Sequence, residues 1–363
     1  MNIATRRILF AMLLLAVPAS CLCTQVQSGS AALATPPPPD NAPAARAAGV
    51  FPSTVISASR FHVNGDAHFH MTGDVRRLAF MMVHDFPFVS AEVNGTKGKM
   101  MFDTGAQQAL NLNDHLLTNL GPGRAAGSGF VGSGQSYTVT LRSRVDQVTI
   151  GSREDALSFA GVSDVPSQDL SFLEPLTPDC LGLVGYDSFD GYLMKLDYAK
   201  GVLTFYKATD KRRVSRDFLK GETVLAVLPF ETRKLPNHPL IHLKVGDEEF
   251  LGAFDTGQIG MVQMSKETQQ ALADQKLLTP LPQSQISNGS QEHGATMYTI
   301  KGLHLSAALT ASISGVPVSN QPGPAAGPMG TPETNIISLG YSFLSQYKTV
   351  WDYPDKKIYL LRK

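Results

Sequence analysis

Two stretches, 100-MMFDTGAQQALNLN-113 and 252-GAFDTGQIGMVQMS-265, carry the same tetrad, Phe-Asp-Thr-Gly. Asp103 and Asp255 stand 255 − 103 = 152 residues apart. Around them the chain is written twice. Each copy opens on an apolar run, 78-LAFMMV-83 or 224-VLAVLPF-230, followed by a strand carrying proline, 86-FPFVSAEVNG-95 or 238-HPLIHLKVG-246. The tetrad comes next, then an alternating strand, 109-ALNLN-113 or 261-MVQMS-265. Asn113 and Ser265 suit N-caps of short helices over 114–120 and 266–275. The copies close alike. Gly185 matches Gly340, and Asp197-Tyr198 matches Asp352-Tyr353, each 155 residues on. Several landmarks in one order at nearly constant spacing point to a duplicated β unit.

A single Asp-Thr-Gly is an ordinary turn, with Asp accepting local backbone hydrogen bonds and Gly taking an open conformation. Two copies related by a pseudo-two-fold axis bring Asp103 against Asp255. Carboxylates ~3 Å apart repel by about 5 kcal/mol at an effective dielectric of about 20. That is roughly four pKa units, so the pair shares one proton over a wide pH range. The ionised member can take a proton from water while the protonated member donates to a carbonyl oxygen. Gly105 and Gly257 let backbone N–H groups approach the carboxylates, and Thr104 and Thr256 offer hydroxyls to bond across the axis.

With these motifs the chain, from Leu78 to Lys363, resembles the pepsin-like and retropepsin-like aspartic peptidases. The resemblance rests on the paired tetrads, on Leu183-Val184-Gly185 and Ser338-Leu339-Gly340, and on the closing 340-GYSFLSQYKTVWDY-353. It implies an all-β, two-lobed pepsin-like β-barrel fold with pseudo-two-fold related lobes in one chain. It implies an aspartic endopeptidase acting on peptide or protein substrate, with Asp103 and Asp255 catalytic and no metal or other cofactor. Thr104, Gly105, Ala106, Thr256, Gly257 and Gln258 would support the two turns, and the family's flap would fall at Val131, Gly132, Ser133 and Gly134. Family members usually carry Ser or Thr after Asp-Thr-Gly, where this chain has Ala106 and Gln258, and Val131 stands where a flap tyrosine is usual, with Phe130 or Tyr137 as substitutes. The departures keep open a second reading, a non-catalytic peptide-binding protein on the same fold. Ala106 also implies activity reaching closer to neutral pH, because a lost hydroxyl donor no longer stabilises the ionised dyad.

The rest of the sequence frames this unit. Lys+Arg and Asp+Glu are both 31 in 363 residues, so no basic excess suggests nucleic acid. Arg6-Arg7 precedes an apolar run from Ile8 to Val17, too short for the ~20 residues of a membrane helix and suited to a signal peptide over 1–20. The run ends in 17-VPASC-21, so Cys21 is either a lipidated residue, attaching the protein to a membrane, or follows ordinary cleavage near Ala19. Either way the chain is exported, as a periplasmic protein or a membrane-anchored lipoprotein. Residues 21–50 read as a Pro/Ala-rich tether, 51–77 as an N-terminal extension, 78–209 and 210–363 as the two lobes of a monomer. Cys180 reads as a small buried hydrophobe. His62, His68, His70 and His84 read as exposed rather than as ligands, and 121-GPGRAAGSG-129 as a flexible loop.

Overall fold

The computed structural model describes residues 74–130, 136–151, 156–258, 260–282, 296–319 and 329–363, all within one unit, Pro43–Lys363. The signal segment 1–20, Cys21, the tether 21–50, His62, His68, His70, nearly all of the 51–77 extension and the flap residues Val131, Gly132, Ser133 and Gly134 lie outside the described residues. So do the side chains of Phe130 and Tyr137.

The described chain is mostly β. Its first half holds β1 (Val75–Val83), β2 (Phe86–Val93), β3 (Thr96–Phe102), β4 (Leu110–Asn113), β5 (Gly123–Phe130), β6 (Ser136–Arg142), β7 (Val145–Ile150), β8 (Leu157–Val162), β9 (Val165–Gln168), β10 (Cys180–Val184), β11 (Tyr192–Asp197) and β12 (Val202–Lys207). Its second holds β13 (Val224–Pro229), β14 (Leu240–Val245), β15 (Glu248–Phe254), β16 (Met261–Gln263), β17 (Leu278–Pro280), β18 (Met297–Ser306), β19 (Leu309–Ser319), β20 (Ile336–Leu339), β21 (Lys348–Asp352) and β22 (Lys357–Leu361).

The pairing repeats. β2 and β3 form an antiparallel hairpin, as β14 and β15 do. β10 then lies parallel to β3, with Val184 opposite Phe102, and antiparallel to β4. In the second half β20 lies parallel to β15, with Leu339 opposite Phe254, and antiparallel to β16. Each half thus threads a strand between the strand before its tetrad and the strand after it. These strands are buried on both faces, which explains their near-continuous apolar sequence. Antiparallel pairing of β11 with β21 joins the halves, and β12, β1, β22 and β13 extend that ladder on either side.

The main apolar cluster draws from both halves, with Phe102 near Phe189 (5.5 Å between ring centres) and Phe254 near Trp351 (5.8 Å). Two tyrosine pairs are exchanged between halves. Tyr186, after Gly185, meets Tyr353 edge-on, and Tyr341, after Gly340, meets Tyr198. The segment between the halves, with helix α1 (Asp210–Ser215), covers one face of the joining sheet. Phe218 packs on Leu193, Val350 and Tyr359, and Glu222 bridges Lys195 and Lys348.

The sequence reading differs from the structure at three places. No helix forms over 114–120. Asn113 accepts from the His115 and Leu170 N–H groups, and its amide donates to the Cys180 carbonyl. The capping residue is spent on tertiary bonds, and only one turn survives, closed by Leu117 N–H to the Asn113 carbonyl. The second helix, α2 (Lys266–Asp274), does form, with Ser265 Oγ accepting from Thr268 N–H. The stretch 121–129 is mostly strand β5 rather than a loop, because its glycines pair with β6, bulging between Ala125 and Gly127. β1 begins at Val75, three residues before Leu78, its first residues pairing with β12. Among the described residues no helix is long and apolar enough to cross a membrane.

Candidate active site

Both tetrads end a strand whose parallel neighbour holds the aspartate backbone. Asp103 N–H donates to the Val184 carbonyl (2.9 Å) and Asp255 N–H to the Leu339 carbonyl (3.3 Å). Gly185 and Gly340 follow those neighbours because nothing larger fits. A Cβ on Gly185 would strike the Gln108 and Ala106 carbonyls, and one on Gly340 the Gln258 carbonyl. Tyr186 and Tyr341 N–H groups then donate to the Ala106 and Gln258 carbonyls, both at 2.8 Å.

The two turns meet. Thr104 N–H donates to Thr256 Oγ1 and Thr256 N–H donates to Thr104 Oγ1, each at 3.0 Å. Thr256 Oγ1 in turn donates a hydrogen bond to the Phe102 carbonyl (2.9 Å). Both threonines are fully buried, so these bonds are shielded from water. They bring the Asp103 and Asp255 carboxyl groups into hydrogen-bond contact with each other. Gly105 N–H donates to Oδ1 of Asp103 (2.8 Å) and to Oδ1 of Asp255 (3.1 Å), and Gly257 N–H donates to Asp255 Oδ1 (2.7 Å). A side chain at either glycine would run into the aspartate of the opposite turn.

The two carboxyls are not equivalent. Asp255 stands well above the usual carboxylate range, through burial first and then through the charge and hydrogen bond of Asp103. Asp103 is raised too, by burial, partly offset by the hydrogen bond from Asp255 and by the N–H groups of Gly105 and Ala106. The two carboxyls therefore hold one proton and one charge between them. Such a pair can deprotonate a water and protonate an oxygen in the same event.

Two residues of the site escaped the sequence reading. Asn237, fully buried, donates from Nδ2 to the Gly105 carbonyl (2.7 Å) and to the Thr104 carbonyl (3.2 Å). Beside it the His238 ring hydrogen-bonds the Gly105 backbone, and burial pushes it down to about 4. The signal was a polar pair, Asn237-His238, before Pro239, in register with Asp85-Phe86 before Pro87. Another buried acid, Asp187, follows Gly185. Its N–H donates to the Gln107 carbonyl (2.9 Å), while its Oδ2 and the Gln107 Oε1 lack hydrogen-bond partners. Burial, then the charge of Asp190, pushes it up to about 7.

A second apolar cluster, containing Phe86, Phe88, Met101, Leu173 and Leu183, packs against Ala106. The Gln258 backbone holds the matching place after the second tetrad through its bond from Tyr341. Cys180 is buried, its thiol pushed up to about 11 by desolvation, which suits a packing role. Among the described residues no group of three or more His, Cys, Asp or Glu is gathered to hold a metal.

No protein-family model matches this chain, and no curated protein matches it.

Proposed function

We propose that the protein is an aspartic endopeptidase of two-lobed, pepsin-like fold, hydrolysing peptide bonds with a water activated between Asp103 and Asp255. The observation that carries this reading is the hydrogen-bonded pair of carboxyls, Asp255 buried and Asp103 half-buried, delivered by two equivalent turns. Asp103 takes a proton from the water as its oxygen attacks the scissile carbonyl carbon. Asp255 gives its proton to the carbonyl oxygen, leaving a neutral tetrahedral diol. As the C–N bond breaks, the amine takes the proton held by Asp103 and a diol hydroxyl returns one to Asp255. The pair ends as it began, without a covalent intermediate. An extended substrate would lie between the lobes, held partly by backbone hydrogen bonds as in strand addition. Export through residues 1–20, with or without lipid on Cys21, would deliver the enzyme to the periplasm or its membrane.

A mixed peptide library incubated with purified protein tests the reading. Expected are cleavage, its inhibition by a statine-type compound, and its loss in Asp103→Asn and in Asp255→Asn. Cleavage that survives either substitution overturns the mechanism. Peptide binding without cleavage at any pH favours a peptide-binding module.

A further inference from the structure

The dyad sits in a frame that is nearly symmetric, yet one contact to it is not. Asn237 and His238 come from the second half and touch the first tetrad. Their counterparts, 152 residues earlier, are Asp85 and Phe86. Neither an ionised Asp nor a Phe side chain carries an N–H to donate, so the second tetrad receives no matching clamp from these positions.

The clamp acts on particular peptide groups. The Thr104 carbonyl, bonded by Asn237 Nδ2, belongs to the peptide whose N–H is that of Gly105. That N–H touches both carboxylates. The Gly105 carbonyl, bonded by Asn237 at 2.7 Å, belongs to the peptide whose N–H is that of Ala106, which donates to the Asp103 main-chain carbonyl (3.2 Å) and closes the turn. The His238 ring bears on the same Gly105 backbone. A donor on the carbonyl end of an amide polarises its N–H end and fixes the peptide plane. Tyr353 secures the clamp from below, its hydroxyl donating to the Asn237 carbonyl (3.3 Å).

We propose that Asn237 and His238 are positioning residues that break the symmetry of the dyad, holding the Thr104–Gly105–Ala106 backbone so that the Gly105 N–H stays on both carboxyls and the pair keeps its single charge. Other titratable groups bearing on the pair do not compete for that role. Tyr198 and Tyr353 feel Asp255 but are held far above the usual tyrosine range, and His238 stays neutral above about 4. The assignment deepens the peptidase reading and rests on it only for its kinetic readout.

The full chain, labelled with carbon-13 at aspartate Cγ, separates the possibilities. Asp103→Asn and Asp255→Asn assign the two signals, and their titration is followed in the wild type, Asn237→Ala, His238→Phe and His238→Gln. The expected wild-type result is two well separated apparent pKa values that belong to the pair. In Asn237→Ala and His238→Phe the lower apparent pKa of the pair rises by about half a unit to one unit, as loss of a polarised donor requires. His238→Gln, which keeps an amide donor, restores much of the shift. The acid limb of kcat/KM should move with it while KM changes little, a displacement that mere loss of folded protein would not produce. An unmoved lower pKa in the folded variants overturns the proposal. So does a wild-type pair whose two apparent pKa values are not separated, whether or not the variants fold. Titration as expected without peptide cleavage leaves the clamp standing and overturns the peptidase reading instead.

Discussion

Lys195 on β11 lies directly opposite Val350 on β21, and 350 − 195 = 155, the same offset that separates Gly185 from Gly340. Each residue therefore faces its own counterpart in the repeat. The threonine bonds join counterparts in the same way, Thr104 with Thr256, 152 residues apart.

Those bonds make the first prediction. Thr256 Oγ1 accepts from Thr104 N–H and donates to the Phe102 carbonyl, whereas Thr104 Oγ1 is seen accepting from Thr256 N–H. Truncating Thr256 strands two buried backbone groups and truncating Thr104 strands one, at about 1–3 kcal/mol per group. Urea unfolding should rank Thr256→Ala as more destabilised than Thr104→Ala. The double variant should lose less than the sum, because the two hydroxyls share one network. Additive and equal losses would deny the cross-bonding.

Which two aspartates meet could be read from the sequence, because a repeat preserves spacing and the tetrads sit at equal places within it. The strand pattern could be read where both faces are buried, as in β4 and β10. What could not be read depends on where side chains go after folding. Asn113 looks like a helix cap until Leu170 and Cys180 compete for it. The glycines of β5 carry no apolar alternation, so its pairing with β6 leaves no trace in periodicity. Asn237 acts through a contact 132 residues distant, and only its register with Asp85 distinguishes it from a loop polar residue.

Two buried groups impose opposite pH dependences on stability. Asp187 has a folded value of about 7, above its ordinary 3.8, so the folded state binds the extra proton. Its contribution is complete below about pH 4 and is lost as pH rises through 7, by at most about 4 kcal/mol. His238 has a folded value of about 4, below its ordinary 6.5, so the unfolded state binds the extra proton. Its contribution is complete above about pH 6.5 and is lost as pH falls to 4, by about 3 kcal/mol. Relative to wild type, Asp187→Asn should gain stability as pH rises from 4 to 7. His238→Phe should gain as pH falls across 6.5 to 4. Denaturation midpoints measured at half-unit intervals should show the two difference curves sloping in opposite senses, and parallel slopes would reject the assignment.

Ala106 follows the first tetrad, and its N–H helps hold the Asp103 charge. A hydroxyl there would add a donor and lower the pKa of the ionised member. In Ala106→Ser both limbs of kcat/KM should move down by up to about one unit, since a further hydrogen bond favours the charged form. The wild type should therefore retain activity closer to neutral pH than that variant does. A wild-type profile confined to strongly acidic pH, or an acid limb that does not move, would sink this expectation.

The residues around the two tetrads differ in chemistry where the repeat makes them equivalent in position. Phe86, Met101 and Leu183 in the first half correspond to His238, Ala253 and Ser338 in the second, at offsets of 152, 152 and 155. The first set belongs to the apolar cluster that packs on Ala106, with Phe172 and Leu176 half-buried at its margin. The second set is smaller and more polar, and Ser338 is half-buried. A peptide lying across both should be cleaved with a large apolar side chain on one side of the scissile bond and a small or polar one on the other. Sequencing the products of a random peptide library reads this directly. Ser338→Leu should relax the second preference toward apolar residues by about 10-fold or more in kcat/KM ratio, the range one apolar contact supplies. Met101→Ala should weaken the first preference by a similar factor. Equal apolar preference on both sides of the bond in the wild type would mean that the difference between these faces does not reach the substrate.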